Sequence, residues 1–248
     1  MRDLREFMDS TYLKTAEQAG LSEVENKRVV TQLIQEAIDE HFKLAMIRPE
    51  EVKEGRALVD QHNASVLIGT VIDFPLGDGG LEAKLAEAKQ AVADGADELD
   101  FVVDYKAFQN GLIDQVKEEV KACTTYGLQA GKVVKWIIEV AALSHTDIIK
   151  LTTLIKNVVL SNCKETDYDK VFVKSSTGFF KTEGGKPNGA TMDTLVLMLE
   201  NAGPLPVKAA GGIRDRETAI EMITLGVKRL GTSAAKVIVE GTGSTENY

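Results

Sequence analysis

Apolar positions along the chain follow two alternating rhythms. Glu23–Asp39 (EVENKRVVTQLIQEAID) sets Val29, Val30, Leu33, Ile34, Ala37 and Ile38 at helical spacing. A short unbroken apolar run, KLAMIRP, follows and is stopped by Pro49. The exchange then repeats. Helical spacing over Glu50–Gln61 leads into SVLIGTVIDF, over Leu81–Asp94 into ELDFVVDY, and over Leu112–Tyr126 into VVKWIIEV. Thr146–Leu160 precedes VFVKSS, Thr191–Asn201 precedes PVKAAGG, Arg216–Leu225 precedes VKRLGTS, and a last helical piece ends the pattern. The apolar runs between helices read as seven strands, and Phe7–Thr11 (FMDST), ahead of the first long helix, is a weaker eighth.

Strands without polar alternation, separated by amphipathic helices, predict a parallel sheet with helices packed over it. Eight such units in 248 residues predict a single-domain (β/α)8 TIM barrel over residues 1–248, with 241–248 (GTGSTENY) as a mobile tail. An open doubly wound sheet would share the alternation, but no GxGxxG or GxxxxGK[ST] follows the first strand.

Composition narrows the function. A net charge of −9 surrounds the molecule with no positive field, which argues against nucleic acid and anionic membrane as partners. A small anionic ligand needs only a local cluster of donors and stays open. Cys123 and Cys163 belong to no CxxC spacing and read as free thiols of a reducing compartment. With no charged-then-apolar leader and no apolar run of about 18 residues, a cytoplasmic protein is expected. His41, His62 and His145 share no ligand spacing, so no histidine-built metal site is expected.

In a barrel the active site lies where the strands end. Asp100 and Asp104 bracket FVV, Lys135 and Glu139 flank WII, Lys174 ends VFV, and Lys208 follows PV; Thr70, Asp73 and Asp9 lie in or beside other runs. Any one of these lysines could snorkel to solvent or pair with a carboxylate. Three of them inside apolar strands, with Asp100, point to a site that uses charge, because Lys is rarely buried unpaired. The chemistry that wants a buried lysine is amine nucleophilicity, since burial and a second ammonium both disfavour the protonated form. Lys174 and Lys208 fall on successive strands, which in a sheet lie about 4.8 Å apart. The expectation is that Lys174 forms a Schiff base with a carbonyl substrate, that Lys208 tunes it, and that Asp100 moves protons. Lys135 is a candidate for the site and equally for an ion pair with Glu139 or Asp100.

The loops after the last strands are rich in small residues: Ser175-Ser176-Thr177-Gly178, Ala209-Ala210-Gly211-Gly212 with Arg214 beyond it, and Gly231-Thr232-Ser233. Barrels bind phosphate with such loops and with backbone N–H groups, so a phosphorylated substrate is expected, although a glycine after a strand can also simply relieve a turn.

VFVKSSTGF, PVKAAGGIR, GADELDFVVDY and TVIDFPLGD together resemble the signature segments of the 2-deoxyribose-5-phosphate aldolases. The order and spacing match from MDSTYLK to the GTS after the last strand. The resemblance implies a barrel enzyme without metal or organic cofactor. The implied reaction is reversible cleavage of 2-deoxy-D-ribose 5-phosphate to acetaldehyde and D-glyceraldehyde 3-phosphate in deoxynucleoside breakdown. It implies small sugar-phosphate and aldehyde partners and a homo-oligomer, dimer or tetramer. It also implies Lys174 as the Schiff-base lysine, Lys208 as the lysine that lowers its pKa and Asp100 as the proton relay. Asp9 and Thr11 would contact sugar hydroxyls, with Thr70, Lys135 and Thr177 as further substrate-binding residues, while Gly178, Gly211, Gly212, Gly231 and Ser233 would form the phosphate site. This chain has Met46 where many members carry a cysteine, and Phe179 where some carry a lysine; its segment from Phe179 to Ala190 is long and polar.

Overall fold

The eight apolar runs become eight strands that pair in parallel and in chain order until the last meets the first. The structure, a computed structural model, describes residues 3–241, so all of the expected mobile tail except Gly241 lies outside the described residues. The strands are β1 (Met8–Thr11), β2 (Leu44–Ile47), β3 (Leu67–Ile72), β4 (Glu98–Val102), β5 (Val133–Ile137), β6 (Val171–Lys174), β7 (Val207–Ala210) and β8 (Arg229–Thr232). The weakest run closes the barrel: Asp9 stands in register with Leu44 of β2 on one side and Gly231 of β8 on the other. The chain is thus a (β/α)8 barrel.

The helices are α1 (Ala16–Ala19), α2 (Glu23–Asp39), α3 (Val52–Gln61), α4 (Gly80–Ala93), α5 (Tyr105–Gln109), α6 (Ile113–Gln129), α7 (His145–Asn162), α8 (Met192–Ala202), α9 (Arg216–Leu225) and α10 (Ala235–Glu240). Their starts are written in the sequence. Ser22 and Thr191 each cap a helix through a reciprocal box with the residue three positions on, satisfying amide groups the helix leaves open. α3 begins later than the periodicity predicts, because Pro49–Glu51 first form a 3-10 turn.

Alternation along each strand separates two environments. Outward residues such as Leu99, Phe101, Trp136, Val173 and Leu230 join the main core under the helices. There Phe101 stacks on Trp136 with ring centroids 5.1 Å apart, and Trp136 donates its indole N–H to Thr124 of α6 at 2.9 Å. Inward residues are not uniformly apolar, contrary to the reading of the strands as apolar on both faces. Leu44, Met46 and Val71, with Leu13, form a separate apolar cluster on the β2–β3 side. Gly69 makes room for it, since a Cβ there would stand 2.7 Å from Met46 Cε. On β1 and β4–β8 the inward positions include Asp9, Glu98, Asp100, Lys135, Lys174, Lys208 and Arg229, all buried. The barrel is therefore filled by hydrocarbon on one side and by an ion-pair network on the other.

Candidate active site

The ionic half is built in layers. Asp100 faces Lys135 across β4–β5, Lys174 faces Lys208 across β6–β7, and Lys208 faces Arg229 across β7–β8. Asp100 is the hub. Its Oδ1 accepts from Lys135 Nζ at 2.6 Å, and its Oδ2 accepts from both Lys174 Nζ at 2.8 Å and Lys208 Nζ at 2.9 Å. One layer down, Glu98 takes a two-pronged contact from Arg229 at 3.0 and 3.1 Å and stands 2.5 Å from Lys135. Asp9 bridges Arg229 Nε at 2.6 Å and Lys208 Nζ at 2.5 Å. Gly231 serves this layer, because a Cβ there would come within 3.1 Å of Lys208 Cε.

Three carboxylates thus face four cations. The surplus charge falls where the electrostatics lowers a lysine. Burial, with Lys208 and Lys135 close by, outweighs the pull of Asp100 and brings the Lys174 pKa down to about 8. Burial alone would push Asp100 up, but Lys135, Lys174 and Lys208 hold it well below the usual carboxylate range. Lys135 is opposite to Lys174: burial disfavours its proton, yet Asp100, Glu98 and Asp9 together raise its pKa. The amine nearest to neutrality is also the one that reaches open space. Lys174 floors a cavity of about 90 Å³ walled by Thr11, Leu13, Thr177, Gly178, Phe179, Asn188, the Ala210–Arg214 turn and Gly231–Ser233. A larger groove of about 880 Å³ between α6 and α7 is lined by residues such as Lys117, Lys121, Leu154 and Val158 and shares no side chain with the ionic network.

The residues expected at the site separate into three groups. Lys174, Thr11, Thr177, Gly178, Gly211, Gly212, Gly231 and Ser233 line the cavity, as does Arg214. Asp100 and Lys208 lie directly beneath, bonded to or sharing an oxygen with Lys174. Asp9 and Thr70 are placed differently from the expected substrate contacts, and Lys135 takes the ion-pair alternative. Lys135 and Asp9 are fully buried in the network and offer no surface to a sugar, so they act as its counter-charges. Thr70 has the opposite parity to inward Gly69 and Val71; it is buried and donates its hydroxyl to the Ile47 carbonyl at 2.9 Å. Of the two partners open to Lys135, Asp100 is the one taken. Asp104 is not a site residue but caps α5 through Ala107 N–H at 2.7 Å.

Several contributors were not foreseen. Glu98 and Arg229 stand at the starts of their strands, away from the ends where the active site of a barrel is expected; Glu98 is two residues from Asp100 and so on the same face. Lys84 on α4 is fully buried, 2.9 Å from both Asp73 and Glu119 and 2.6 Å from the Gly77 carbonyl. It ties down the loop after β3, where Phe74 meets Phe179 edge-on with centroids 5.0 Å apart. Burial pushes the Cys123 thiol up to about 12, which makes it unreactive. Among the described residues no group of three or more His, Cys, Asp or Glu side chains is placed to hold a metal, and no helix is long and apolar enough to cross a membrane.

No family model matches the chain. Individual relatives do. A deoxyribose-phosphate aldolase of Thermococcus gammatolerans is 36% identical over 245 residues, 98% of each chain. One of Lactiplantibacillus plantarum is 35% identical over 237 residues, covering 95% of this chain and 98% of that one. Among solved structures, an aldolase called QR15 superimposes with a TM-score of 0.78 at 33% identity, over 97% of this chain and 96% of the other. The deoxyribose phosphate aldolase of Aeropyrum pernix, described as a tetramer, gives 0.76 at 28% identity, over 96% and 89%. The chain belongs to the deoxyribose-phosphate aldolase family.

Proposed function

We propose that this protein reversibly cleaves 2-deoxy-D-ribose 5-phosphate to acetaldehyde and D-glyceraldehyde 3-phosphate through a Schiff base on Lys174, in the breakdown of deoxyribose phosphate. The observation that carries the reading is a single one: Lys174 shares Asp100 Oδ2 with Lys208, at the floor of a cavity that opens onto the ionic network. Neutral Lys174 attacks the C1 aldehyde, and loss of water from the carbinolamine gives an iminium. The iminium draws electrons from the bond β to it, C2–C3, as the C3 hydroxyl gives up its proton. Breaking C3–C4 instead would leave a two-carbon phosphate. The three-carbon aldehyde phosphate departs, the enamine takes a proton at its terminal carbon, and water releases acetaldehyde and the amine. Asp100, held ionised beside Lys174, is suited to carry protons to and from the nitrogen through bound water.

The polar wall made by Gly211, Gly212, Gly231 and Ser233, with Arg214 beyond, is suited to the 5-phosphate through backbone N–H groups. Gly211 and Gly212 have φ of +84° and +78°, which lets the turn expose consecutive amides. The opposite wall, Leu13 and Phe179, is apolar and helps exclude water from the iminium. We also infer a homo-oligomer free in the cytoplasm, in line with the tetramer described for the Aeropyrum pernix protein.

Borohydride reduction in the presence of substrate, followed by peptide mapping, tests the reading. The adduct is expected on Lys174, with cleavage unaffected by EDTA; an adduct on any other lysine overturns it. Lys174→Leu is expected to lose nearly all turnover. A binding protein that merely holds the phosphosugar would give tight binding and no trapped adduct.

A further inference from the structure

The carboxylate of Glu139 has no part in the mechanism above, yet it is buried at the end of β5 in an unusual backbone. Its φ of +56° lies in the left-handed region that a side chain with a β-carbon disfavours. Three donors converge on it from the turn that follows Lys174. Ser176 Oγ reaches Oε1 at 3.0 Å, Thr177 N–H reaches Oε2 at 3.2 Å, and the Thr177 hydroxyl closes tightly on the same Oε2. A carboxylate has only acceptors, so it can take all three at once.

The contacts continue beyond this turn. Ser176 Oγ also lies 2.9 Å from the Asn188 carbonyl, sharing its one proton, and accepts from Gly178 N–H at 3.1 Å. Asn188 Nδ2 donates to the Gly178 carbonyl at 3.2 Å, and Ala190 N–H donates to the Gly211 carbonyl at 3.2 Å. Between them Gly189 packs so closely on Gly211 that a Cβ would stand 2.6 Å from Gly211 Cα. The turn after β6, the segment before α8 and the turn after β7 are therefore bonded into one unit, and Glu139 is its buried end.

The geometry points to Glu139 as the positioning residue of the phosphate end of the pocket, acting through Ser176 and Thr177 on Gly178, Asn188 and Gly211. The inference rests on the phosphosugar reading and adds to it a residue that touches neither the sugar nor Lys174. Its distinctive consequence is selectivity. Loosening the unit should weaken recognition of the phosphate more than it weakens amine chemistry on the floor of the pocket.

The test compares kcat and KM for 2-deoxyribose 5-phosphate and for unphosphorylated 2-deoxyribose in wild type, Glu139→Ala, Glu139→Gln and Ser176→Ala. Glu139→Ala is expected to lose at least ten-fold of the preference for the phosphorylated sugar, chiefly through KM. Borohydride trapping of acetaldehyde should fall by less. Glu139→Gln should recover most of the preference, because its amide oxygen can accept from Thr177 while Ser176 turns its proton to Asn188. Should Glu139→Ala not fold, Ser176→Ala, which deletes the Oε1 contact and the Ser176 links to the Asn188 carbonyl and Gly178 N–H but leaves both Thr177 donors on Oε2, is expected to lose about three-fold of the preference. An unchanged preference in the folded variants, or a parallel loss on both sugars, overturns the inference. Failure of the wild type to cleave or prefer the phosphorylated sugar would instead overturn the substrate reading, and the two outcomes are separate measurements.

Discussion

Removal of the Lys208 charge gives the sharpest test of the proposed activation of Lys174. Both ammonium nitrogens lie within 2.9 Å of Asp100 Oδ2, so they are at most about 6 Å apart. At an effective dielectric of about 20, two unit charges at that distance repel by about 3 kcal/mol, or about two pH units on a titration. Charge counting agrees. With Lys208 the network holds four cations against three carboxylates, and neutral Lys174 balances it. In Lys208→Met, three cations face three carboxylates, and protonated Lys174 becomes the balanced state.

The expected result is a pH profile displaced upward, with the midpoint moving from near 8 to about 10. At pH 7 the neutral fraction of Lys174 would fall from about one tenth to about one thousandth, a loss of about 100-fold in rate. The assay is the pH dependence of borohydride trapping with acetaldehyde, which reads the amine without needing the phosphate or product release. Lys208→Arg keeps the charge and should keep the midpoint near that of wild type, whatever its effect on the plateau. If Lys208→Met loses rate with its midpoint still near 8, Lys208 acts by contact with substrate, and the electrostatic account is refuted.

Lys174→Met should stabilise the protein while abolishing activity. The folded pKa near 8 lies below the unfolded value near 10.4, so the native chain bears a penalty of about 3 kcal/mol below pH 8 that fades as pH rises towards 10.4. The gain in denaturant midpoint should be full at pH 7 and absent near pH 11. Lys84→Met should do the reverse, costing about 3–5 kcal/mol, because Asp73 and Glu119 would be left buried without their cation; denaturant unfolding measures it, and a loss under 1 kcal/mol would contradict the buried-pair account. Gly189→Ala should raise KM for the phosphorylated sugar with Lys174 still trappable, since its Cβ would displace the Gly211 turn; an unchanged KM would show that the turn can move aside freely.

The barrel was legible because its outward strand positions are mostly apolar, with Ser10, Thr70 and Thr232 as exceptions, and the helical spacing between them is regular. Half of the inward face was legible too, through lysines that interrupt apolar runs. What escaped has specific causes. Glu98 was read as the start of a strand, although its parity with Asp100 places it inside. Arg229 could be assigned only once the barrel closed, because its carboxylate partners lie 131 and 220 residues away in sequence. Lys84 sits among charged residues on α4 and looks solvated until α6 covers it. Thr70 was misplaced because its run is apolar at neighbouring positions of both parities, so nothing in the run marks which side faces in.

These misses bear on the lysine itself. A strand-end lysine in an apolar run is by itself compatible with an ordinary ion pair, and Lys135, with the same local pattern, has become one. The two differ in what surrounds them rather than in what flanks them. Lys135 meets Asp100 and Glu98 and keeps its proton more firmly, whereas Lys174 meets one carboxylate already engaged by two other cations. The depressed pKa of Lys174, on which its proposed reactivity rests, is therefore a property of the whole charge inventory of the barrel. It follows that inserting one carboxylate elsewhere in that half, even out of reach of the substrate, should silence the amine as surely as removing Lys208.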